Sequence, residues 1–138
     1  MTQEKQTAIN EIEKKKDLIR ETADHIWSHP ELSLQEDQSA AYYCDILEKE
    51  GFQVERGICG IRTAFAASFG QGSPRIGILA EYDALSGLSQ EAGSLEQKEI
   101  VPGGCGHGCG HNLLGAGAFG AVLGVKAYLE ETGREGTV

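Results

Sequence analysis

A nine-residue segment of glycine, cysteine and histidine, residues 104–112, constrains this chain more than any other feature. Glycine occupies every second position from 104 to 110, so the backbone can bend sharply and neighbouring side chains can converge. The residues between the glycines, and directly after the last one, are Cys105, His107, Cys109 and His111. Thiolate and imidazole are the ligands that zinc and similar metals prefer. The segment therefore predicts a metal site, the alternative being a flexible loop in which these residues occur together by chance.

The spacing of these four side chains argues against a site made from this segment alone. Four ligands within seven residues would be strained, and structural zinc sites usually draw their ligands from two separated pairs. Two neighbours from the segment, together with distant ligands, form a more reasonable site. Cys109 and His111 lie next to a predicted helix start, where the helix N-terminus favours a thiolate, whereas Cys105 and His107 lie further from it.

The composition is that of a globular protein without a nucleic-acid or membrane surface. The chain has 138 residues, enough for one hydrophobic core, and 40% of them are hydrophobic. A formal net charge of -9 argues against phosphate contacts, so we expect no nucleic-acid partner. We see no apolar run that would cross a bilayer and no signal-peptide pattern, so we expect no membrane partner and a cytoplasmic location. In that compartment the four cysteines are more typical of thiols or ligands than of disulfides.

The spacing of apolar residues predicts an α/β chain. The predicted helices cover residues 9–28, 34 or 35–50 and 113–131, and the predicted strands cover residues 52–55, 63–69 and 75–80. Pro30 disfavours a helical conformation at the residue before it and should end the first helix. Gly51 stands at the left-handed C-cap position of the second helix, and Asn112 is the expected N-cap of the third.

The third predicted strand leads into two acidic residues. Residues 75–80 are almost continuously apolar, which is typical of an interior strand covered on both faces. Glu81 and Asp83 follow at once, and such positions lie at the edge of an open α/β sheet where ligands bind. A solvated strand end is the alternative. Residues 84–103 then form a polar connection of a length that is usually functional or disordered.

Glycine inside the third predicted helix indicates close packing. Four positions are involved: Gly115, Gly117, Gly120 and Gly124. Each costs up to about 1 kcal/mol relative to alanine, so we expect this helix to lie very close to a strand or another helix. Residues 115–120 also match the dinucleotide pattern G-x-G-x-x-G, but that fingerprint requires a strand directly before it. Here the polar Cys/His segment precedes it, so no nucleotide site is predicted.

A second histidine pair fits a metal motif only in part. His25 and His29 lie four residues apart on the first predicted helix. The metalloprotease motif requires glutamate directly after the first histidine, where this chain has Ile26. We therefore expect residues 29–31 to shape the exit from the helix rather than to bind a metal.

Three segments occur in the order and spacing of a known family: residues 29–33 (HPELS), 80–85 (AEYDAL) and 106–112 (GHGCGHN). On these segments the chain resembles the N-terminal part of the amidohydrolase branch of the aminoacylase/carboxypeptidase superfamily of metallopeptidases, and within it the aminobenzoyl-glutamate hydrolase type. The similarity covers about residues 19–138. It implies a three-layer α/β/α sandwich with a mixed, mostly parallel sheet, present here in incomplete form.

The resemblance also implies a function and a site. Members are two-metal hydrolases that cleave the amide bond of N-acyl amino acids or small peptides, so a small amide or dipeptide is the expected substrate. The residues that match Cys109 and His111 are metal ligands, and those that match Glu81 and Asp83 lie near the metals, with Asp83 in an orienting role. Zinc suits the thiolate best, while manganese or cobalt would suit carboxylate-rich partners. The secondary candidates are Glu81, His107, Cys105 and Asn112.

The chain departs from the family pattern mainly in length. In the family, a later Glu-Glu pair supplies the glutamate that activates water, and further ligands and a lid or dimerisation domain follow. Residues 1–138 would then be the N-terminal portion of a metal-dependent catalytic domain. A catalytic metal needs about three protein ligands and an open position, so we expect little or no turnover from this portion alone. An incomplete sheet would expose an unpaired edge, so we also expect self-association or a homo-oligomer.

Two other classes of function stay open. One is a small non-catalytic metal-binding or redox protein that uses Cys105 and Cys109. The other is a cofactor-free interaction domain that keeps the fold without the chemistry. Metal titration of variants with alanine at Cys109 or His111 separates this last class from the metal-binding ones.

Overall fold

The computed structural model describes residues 2–138, which form helices and short strands. The helices are α1 (Gln3–Lys14), α2 (Lys16–Ser28), α3 (Asp37–Lys49) and α4 (His111–Thr132), and one turn of 3-10 helix covers Ile58–Gly60. The strands are β1 (Gln53–Arg56), β2 (Phe65–Ser68), β3 (Gly70–Gln71) and β4 (Gly136–Thr137). This mixture confirms the predicted α/β class.

The strands pair as two antiparallel ribbons. Strand β1 pairs with β2, with Gln53 opposite Ser68, and β3 pairs with β4, with Gly70 opposite Thr137. Parallel pairing occurs only as single bridges in the described part of the chain, such as the one between Leu32 and residue 84. The three-layer sandwich with a mostly parallel sheet is therefore not confirmed within residues 2–138.

The prediction of an interior strand over residues 75–80 is wrong for this structure. Only Arg75 makes a β-bridge there, and Ile76, Ile78 and Leu79 are 59%, 40% and 88% exposed. Within residues 2–138, the backbone of residues 77–83 makes no hydrogen bond to other backbone groups. A continuous apolar run becomes an interior strand only if neighbouring strands cover both of its faces. The described residues do not supply that cover.

The boundaries of the first two predicted helical regions follow local signals. The first region is divided at Lys15 into α1 and α2, and α2 ends at Ser28, before Pro30, as predicted. Helix α3 ends at Lys49, and Gly51 has a φ of +86°, which is the left-handed conformation expected after the helix end. The ends of both regions depend on single residues, which is why the sequence predicts them well. The starts, at Gln3 and Asp37, differ from the predicted residues 9 and 34 or 35.

Helix α4 begins at His111, two residues earlier than a cap at Asn112 would allow. Its N-cap is Gly110, with a φ of +79°, so the prediction that Asn112 caps the helix is wrong. Asn112 lies in the first turn, and its side chain is directed across to α2, where its Nδ2 donates a hydrogen bond to the carbonyl oxygen of Ala23. The side chain therefore contacts a neighbouring helix rather than the N–H groups of its own helix.

Helix α4 is the centre of the packing. It lies against α1 and α2, and the largest buried cluster joins its residues to those of α2, α3 and the start of β1: Ile26, Tyr43, Ile46, Leu47, Phe52, Phe119 and Leu123. A methyl group built on Gly120 would come 3.0 Å from Ile19, and one on Gly124 would come 3.2 Å from the carbonyl oxygen of Ala8. The close approach predicted from the glycines is confirmed at these positions, whereas nothing lies within 4 Å at Gly117.

Helix α4 is also the one described helix that is long and apolar enough to cross a membrane, as judged by length and composition alone. The sequence pattern predicted no such segment. Core helices of globular proteins meet the same two criteria, and α4 buries residues along its whole length against α1 and α2.

Candidate functional site

The imidazole of His111 lies between two carboxylates at the start of α4. Its Nδ1 is 2.7 Å from Oδ1 of Asp83 and 3.1 Å from the backbone oxygen of the same residue, and its Nε2 is 3.3 Å from Oε2 of Glu81. The side chains of His111 and Asp83 are 16% and 23% exposed, and that of Glu81 is 57% exposed. The acidic residues after position 80 and the second histidine of the Cys/His segment thus meet, although the strand expected directly before the acidic residues is absent.

The partners of His111 determine which ring nitrogen carries a proton. Both oxygens near Nδ1 belong to Asp83 and can only accept hydrogen bonds, so Nδ1 is the donor. In the neutral ring the lone pair of Nε2 then points at the Glu81 carboxylate, which is also an acceptor. That contact is attractive only when a positive charge, either a proton or a metal ion, lies between the two groups. A histidine that donates one N–H to a carboxylate and offers its other nitrogen is the usual metal-binding arrangement.

Backbone pairing fixes the position of Asp83. The next residue, Ala84, is 2% exposed, and its N–H donates to the carbonyl oxygen of Glu31 at 2.7 Å. Leu85 then exchanges two backbone hydrogen bonds with Gly106, at 2.9 and 3.0 Å. The chain beyond Asp83 is thereby held between the exit of α2 and the start of the Cys/His segment.

Three other candidate side chains form hydrogen bonds to α2 or to the residues just after it, and not to His111. Cys105 donates from Sγ to the carbonyl oxygen of Pro30 at 3.0 Å, and the Nε2 of His107 is 3.0 Å from the carbonyl oxygen of Ile26. Asn112 donates to Ala23, as described above. His107 is 4% exposed, and burial is the main cause that lowers its pKa below the usual 6.5, with His111 acting in the same direction. His107 is therefore a neutral, structurally engaged imidazole.

Cys109 occupies the turn directly before α4. The turn is closed by a hydrogen bond from the N–H of Gly110 to the carbonyl oxygen of His107 at 3.0 Å, and the Cys109 side chain is exposed. Among residues 2–138, no group of three or more His, Cys, Asp and Glu side chains is arranged to hold a metal ion. The assignment of Cys109 and His111 as ligands therefore stays a prediction. The pair formed by His111 and Glu81 is the part of a donor set that the described residues bring together.

A cleft of about 680 Å³ adjoins the His111 site. Glu81, Asp83 and His111 lie along it, and its other walls are largely apolar and include Phe65 and Phe119. Tyr43 of α3, which the sequence did not single out as a site residue, also lines the cleft. Its hydroxyl is buried without a hydrogen-bond partner among residues 2–138, and burial raises its pKa far above the usual 10. The glycine at position 115 is the signal that could have revealed it, since any larger side chain there would overlap the hydroxyl.

Comparison with known proteins identifies relatives along most of the chain. It is 50% identical over 127 residues to one of the subunits of the p-aminobenzoyl-glutamate hydrolase of Escherichia coli K12, a match that covers 92% of the chain and 26% of that protein. It is 28% identical to the Xaa-Arg dipeptidase of Mus musculus over 136 residues, which is 28% of that protein, and 30% identical to the Homo sapiens enzyme over 118 residues, which is 23% of it. None of the family models compared with the chain matches it.

A solved structure supports the same relationship. A proposed aminohydrolase from methicillin resistant Staphylococcus aureus superposes with a TM-score of 0.69 at 25% sequence identity, covering 96% of this chain and 33% of the other. The chain thus spans about a quarter of the length of the curated relatives that it matches. These findings confirm the resemblance inferred from the three sequence segments: the chain is a homologue of one part of the amidohydrolase branch of the aminoacylase/carboxypeptidase superfamily.

Proposed function

We propose that this chain is part of a metal-dependent amidohydrolase that cleaves the amide bond of an N-acyl amino acid or a small peptide. The observation that carries the proposal is the geometry at His111, whose Nδ1 is 2.7 Å from Asp83 while its Nε2 faces Glu81. In a segment that is 50% identical to part of an amide hydrolase, this geometry is that of a metal-binding histidine with its supporting carboxylate.

The described residues supply part of a donor set for a divalent cation. His111 and Cys109 would hold it, Glu81 lies within reach of the same ring nitrogen, and zinc is the ion that a thiolate favours most. Manganese or cobalt would suit a site completed by carboxylates, and the resemblance implies a second metal in the whole enzyme. When bound, such an ion polarises the scissile carbonyl group and lowers the pKa of water toward neutrality.

Each residue of the site has a separate task. Asp83 accepts the Nδ1–H of His111 and so fixes the orientation and tautomer of the ring. The exposed carboxylate of Glu81 supplies negative charge at the mouth of the cleft. The aromatic walls at Phe65 and Phe119 offer a surface for an apolar acyl group. The general base belongs to the later part of the family pattern, so these residues bind and orient but do not complete the reaction.

The names of the relatives agree with this substrate class. A p-aminobenzoyl-glutamate hydrolase and an Xaa-Arg dipeptidase both act, by name, on compounds in which an acyl group is joined to an amino acid. We infer that the whole protein acts on such an amide and that it is cytoplasmic. We also infer that its complete domain is the three-layer sandwich. Exposed apolar side chains at Ile78 and Leu79 support this architecture, because further strands would cover them.

The same exposed segment supports self-association of the 138-residue chain.

The competing redox interpretation, with Cys105 and Cys109 as a thiol pair, is less well supported. The Sγ of Cys105 is engaged with the carbonyl oxygen of Pro30, while Cys109 is exposed in its turn.

Metal titration tests the proposal. The wild-type chain should bind zinc, measured by calorimetry or by competition with a chromogenic chelator, and His111→Ala and Cys109→Ala should each weaken binding. Cys59→Ala is the matched control, because Cys59 is also an exposed cysteine but lies in the 3-10 turn after β1. Loss of binding in the Cys59 variant, or equal binding in the His111 variant, would contradict the assignment. Amide hydrolysis by the isolated chain with added zinc would contradict the expected absence of the base.

A further inference from the structure

We propose that the first Cys-Gly-His unit, Cys105 and His107, is an anchor that positions the second unit, Cys109 and His111, for its ligand. The two units have the same sequence, yet the structure places them in different surroundings. Side chains of the first unit bind the end of α2, and His111 of the second faces Asp83 and Glu81. The inference rests on the proposed function, since it concerns how the proposed ligands are held.

The anchor uses three carbonyl groups in the last turns of α2 and just beyond it. Sγ of Cys105 donates to the carbonyl oxygen of Pro30, and Nε2 of His107 donates to that of Ile26. The side-chain amide of Asn112, the residue after His111, donates to the carbonyl oxygen of Ala23. The metal-ligand candidates at 109 and 111 therefore lie between fixed points on both sides. Carbonyl groups at the C-terminal end of a helix carry partial negative charge, which favours such donors.

The proline at position 30 leaves one of these carbonyl groups available. The carbonyl oxygen of Ile26 would normally accept a hydrogen bond from the N–H four residues later, but Pro30 has none. It accepts instead from the N–H of His29, at 3.2 Å, and from Nε2 of His107, at 3.0 Å. The acceptor is a carbonyl group, so Nε2 must carry the proton, and the second nitrogen, Nδ1, is buried without a partner among residues 2–138. An unpaired buried acceptor is unfavourable, so packing alone does not explain a histidine at this position.

The backbone on the opposite side of the segment is equally restricted. Gly106 pairs with Leu85, and a methyl group on Gly106 would overlap the carbonyl oxygen of Leu88, while one on Gly108 would come 2.6 Å from the Leu88 side chain. The segment therefore lies between α2 and residues 85–89. Only the turn at 108–110 projects from this layer, and it leads directly into α4.

His107 acts through its neighbours, so it is a positioning residue. If its hydrogen bond to Ile26 is lost, the turn that carries Cys109 loses its attachment on one side. The imidazole of His111 then loses its fixed alignment with Asp83. Removal of a group that orients a metal ligand typically lowers metal affinity by about 10–100-fold. A purely structural residue would lower stability without changing the site.

Two variants of His107 and one control test the anchor. His107→Ala removes the donor, and His107→Gln keeps an N–H group at a similar distance from the backbone. His25→Gln is the control, because His25 is a partly buried histidine of α2, the helix that the anchor contacts, but it stacks on Tyr42 and lies outside the anchor. Circular dichroism confirms that each variant has kept its helices before the other measurements are made.

Two measurements are made on each variant. In the metal-free chain, NMR of the His111 ring reports whether Nδ1–H is protected by its hydrogen bond to Asp83. In the metal-loaded chain, titration with Co²⁺ reports affinity, and the thiolate-to-cobalt absorption band reports whether Cys109 binds. We expect His107→Ala to lose the protected Nδ1–H signal and about 10–100-fold in Co²⁺ affinity. His107→Gln should recover most of both, and His25→Gln should match the wild type.

The outcomes separate the anchor from the function. If the wild type binds no Co²⁺ but His107→Ala still loses the protected signal of His111, the proposed function fails and the anchor stands. If the wild type binds Co²⁺ and His107→Ala changes neither readout, the anchor is refuted and the function stands. A His107 ring protonated at Nδ1 instead of Nε2 in the wild type also refutes the anchor.

Discussion

Replacement of Gly115 by alanine should not stabilise the protein, although alanine is the better helix former. A methyl group at this position of α4 would overlap the hydroxyl of Tyr43 and lie 3.1 Å from Cζ of the same ring and 3.2 Å from the carbonyl oxygen of Glu81. Tyr43 is 3% exposed, and its ring packs against Phe65 and Tyr82, with centroids 6.3 and 5.4 Å away. These two aromatic neighbours therefore restrict the directions in which the ring could move.

The size of the effect follows from two opposing contributions. Alanine in a helix interior gains about 1 kcal/mol over glycine. Overpacking in a filled core costs about 1–3 kcal/mol. The net result for Gly115→Ala is a free energy of unfolding that is unchanged or lower by up to about 2 kcal/mol. Gly117 provides the internal reference, because nothing lies within 4 Å of a methyl group there and the variant keeps the whole helical gain. The two variants should differ by the overpacking contribution alone, about 1–3 kcal/mol.

Urea denaturation of the two alanine variants, followed by circular dichroism, measures this difference. Tyr43→Phe in the Gly115→Ala background should recover part of the loss, because it removes the hydroxyl that the methyl group overlaps. Recovery should be incomplete, since Cζ stays 3.1 Å away. If the alanine variants at 115 and 117 are equally stable, the steric reasoning is refuted. Gly115 would then have to be explained by something other than the proximity of Tyr43.

Three further predictions use other parts of the structure. Burial, with help from His29, lowers the pKa of His25 below 6.5, so the neutral ring is favoured in the fold. The contribution of His25 to the free energy of unfolding is therefore fully present above pH 6.5, and it is lost as the pH falls from 6.5 toward the lower pKa of the folded state. Urea denaturation across this pH range should show a smaller decline in stability for His25→Phe than for the wild type. The carboxylate of Glu31 accepts from two N–H groups in the first turn of α3, so Glu31→Gln should cost about 1 kcal/mol in the same assay, whereas an unchanged midpoint would contradict the capping role. Asp83→Asn removes the charge behind His111 and should weaken zinc binding by about 10–100-fold in a chelator competition, whereas wild-type affinity would show that Asp83 does not orient the ring.

Features that depend on one or two neighbouring residues were predictable from the sequence. Pro30 and Gly51 ended their helices where expected, because each acts on the backbone beside it. The Cys/His segment stood out by its composition, and the edge-of-sheet position indicated that Glu81 and Asp83 would matter. Their meeting with His111 then follows from the chain path around Ala84.

Features that depend on distant partners could not be predicted in the same way. The two Cys-Gly-His units are alike in sequence, and only the position of α2 distinguishes His107, bonded to Ile26, from His111. Asn112 has the chemistry of an N-cap, but a carbonyl group 89 positions earlier in the chain is its actual partner. The failed strand over 75–80 has the same origin, because an apolar run reveals that cover is needed and does not reveal whether the cover is present.

The two carboxylates beside His111 are attached to the molecule in different ways. Both belong to the stretch 77–83, whose backbone forms no hydrogen bonds to other main-chain groups within residues 2–138, but Asp83 directly precedes the firmly held Ala84, whereas Glu81 lies two residues further from it. The Nδ1 side of the His111 ring thus contacts a carboxylate in a fixed position, whereas the Nε2 side faces Glu81, whose segment can adjust its position. The Glu81 carboxylate can therefore adjust its distance from the ring to ions of different radius while α4, which carries the ring, stays in place. Amide hydrogen exchange would show this as rapid labelling of residues 77–83 that stops at residue 84.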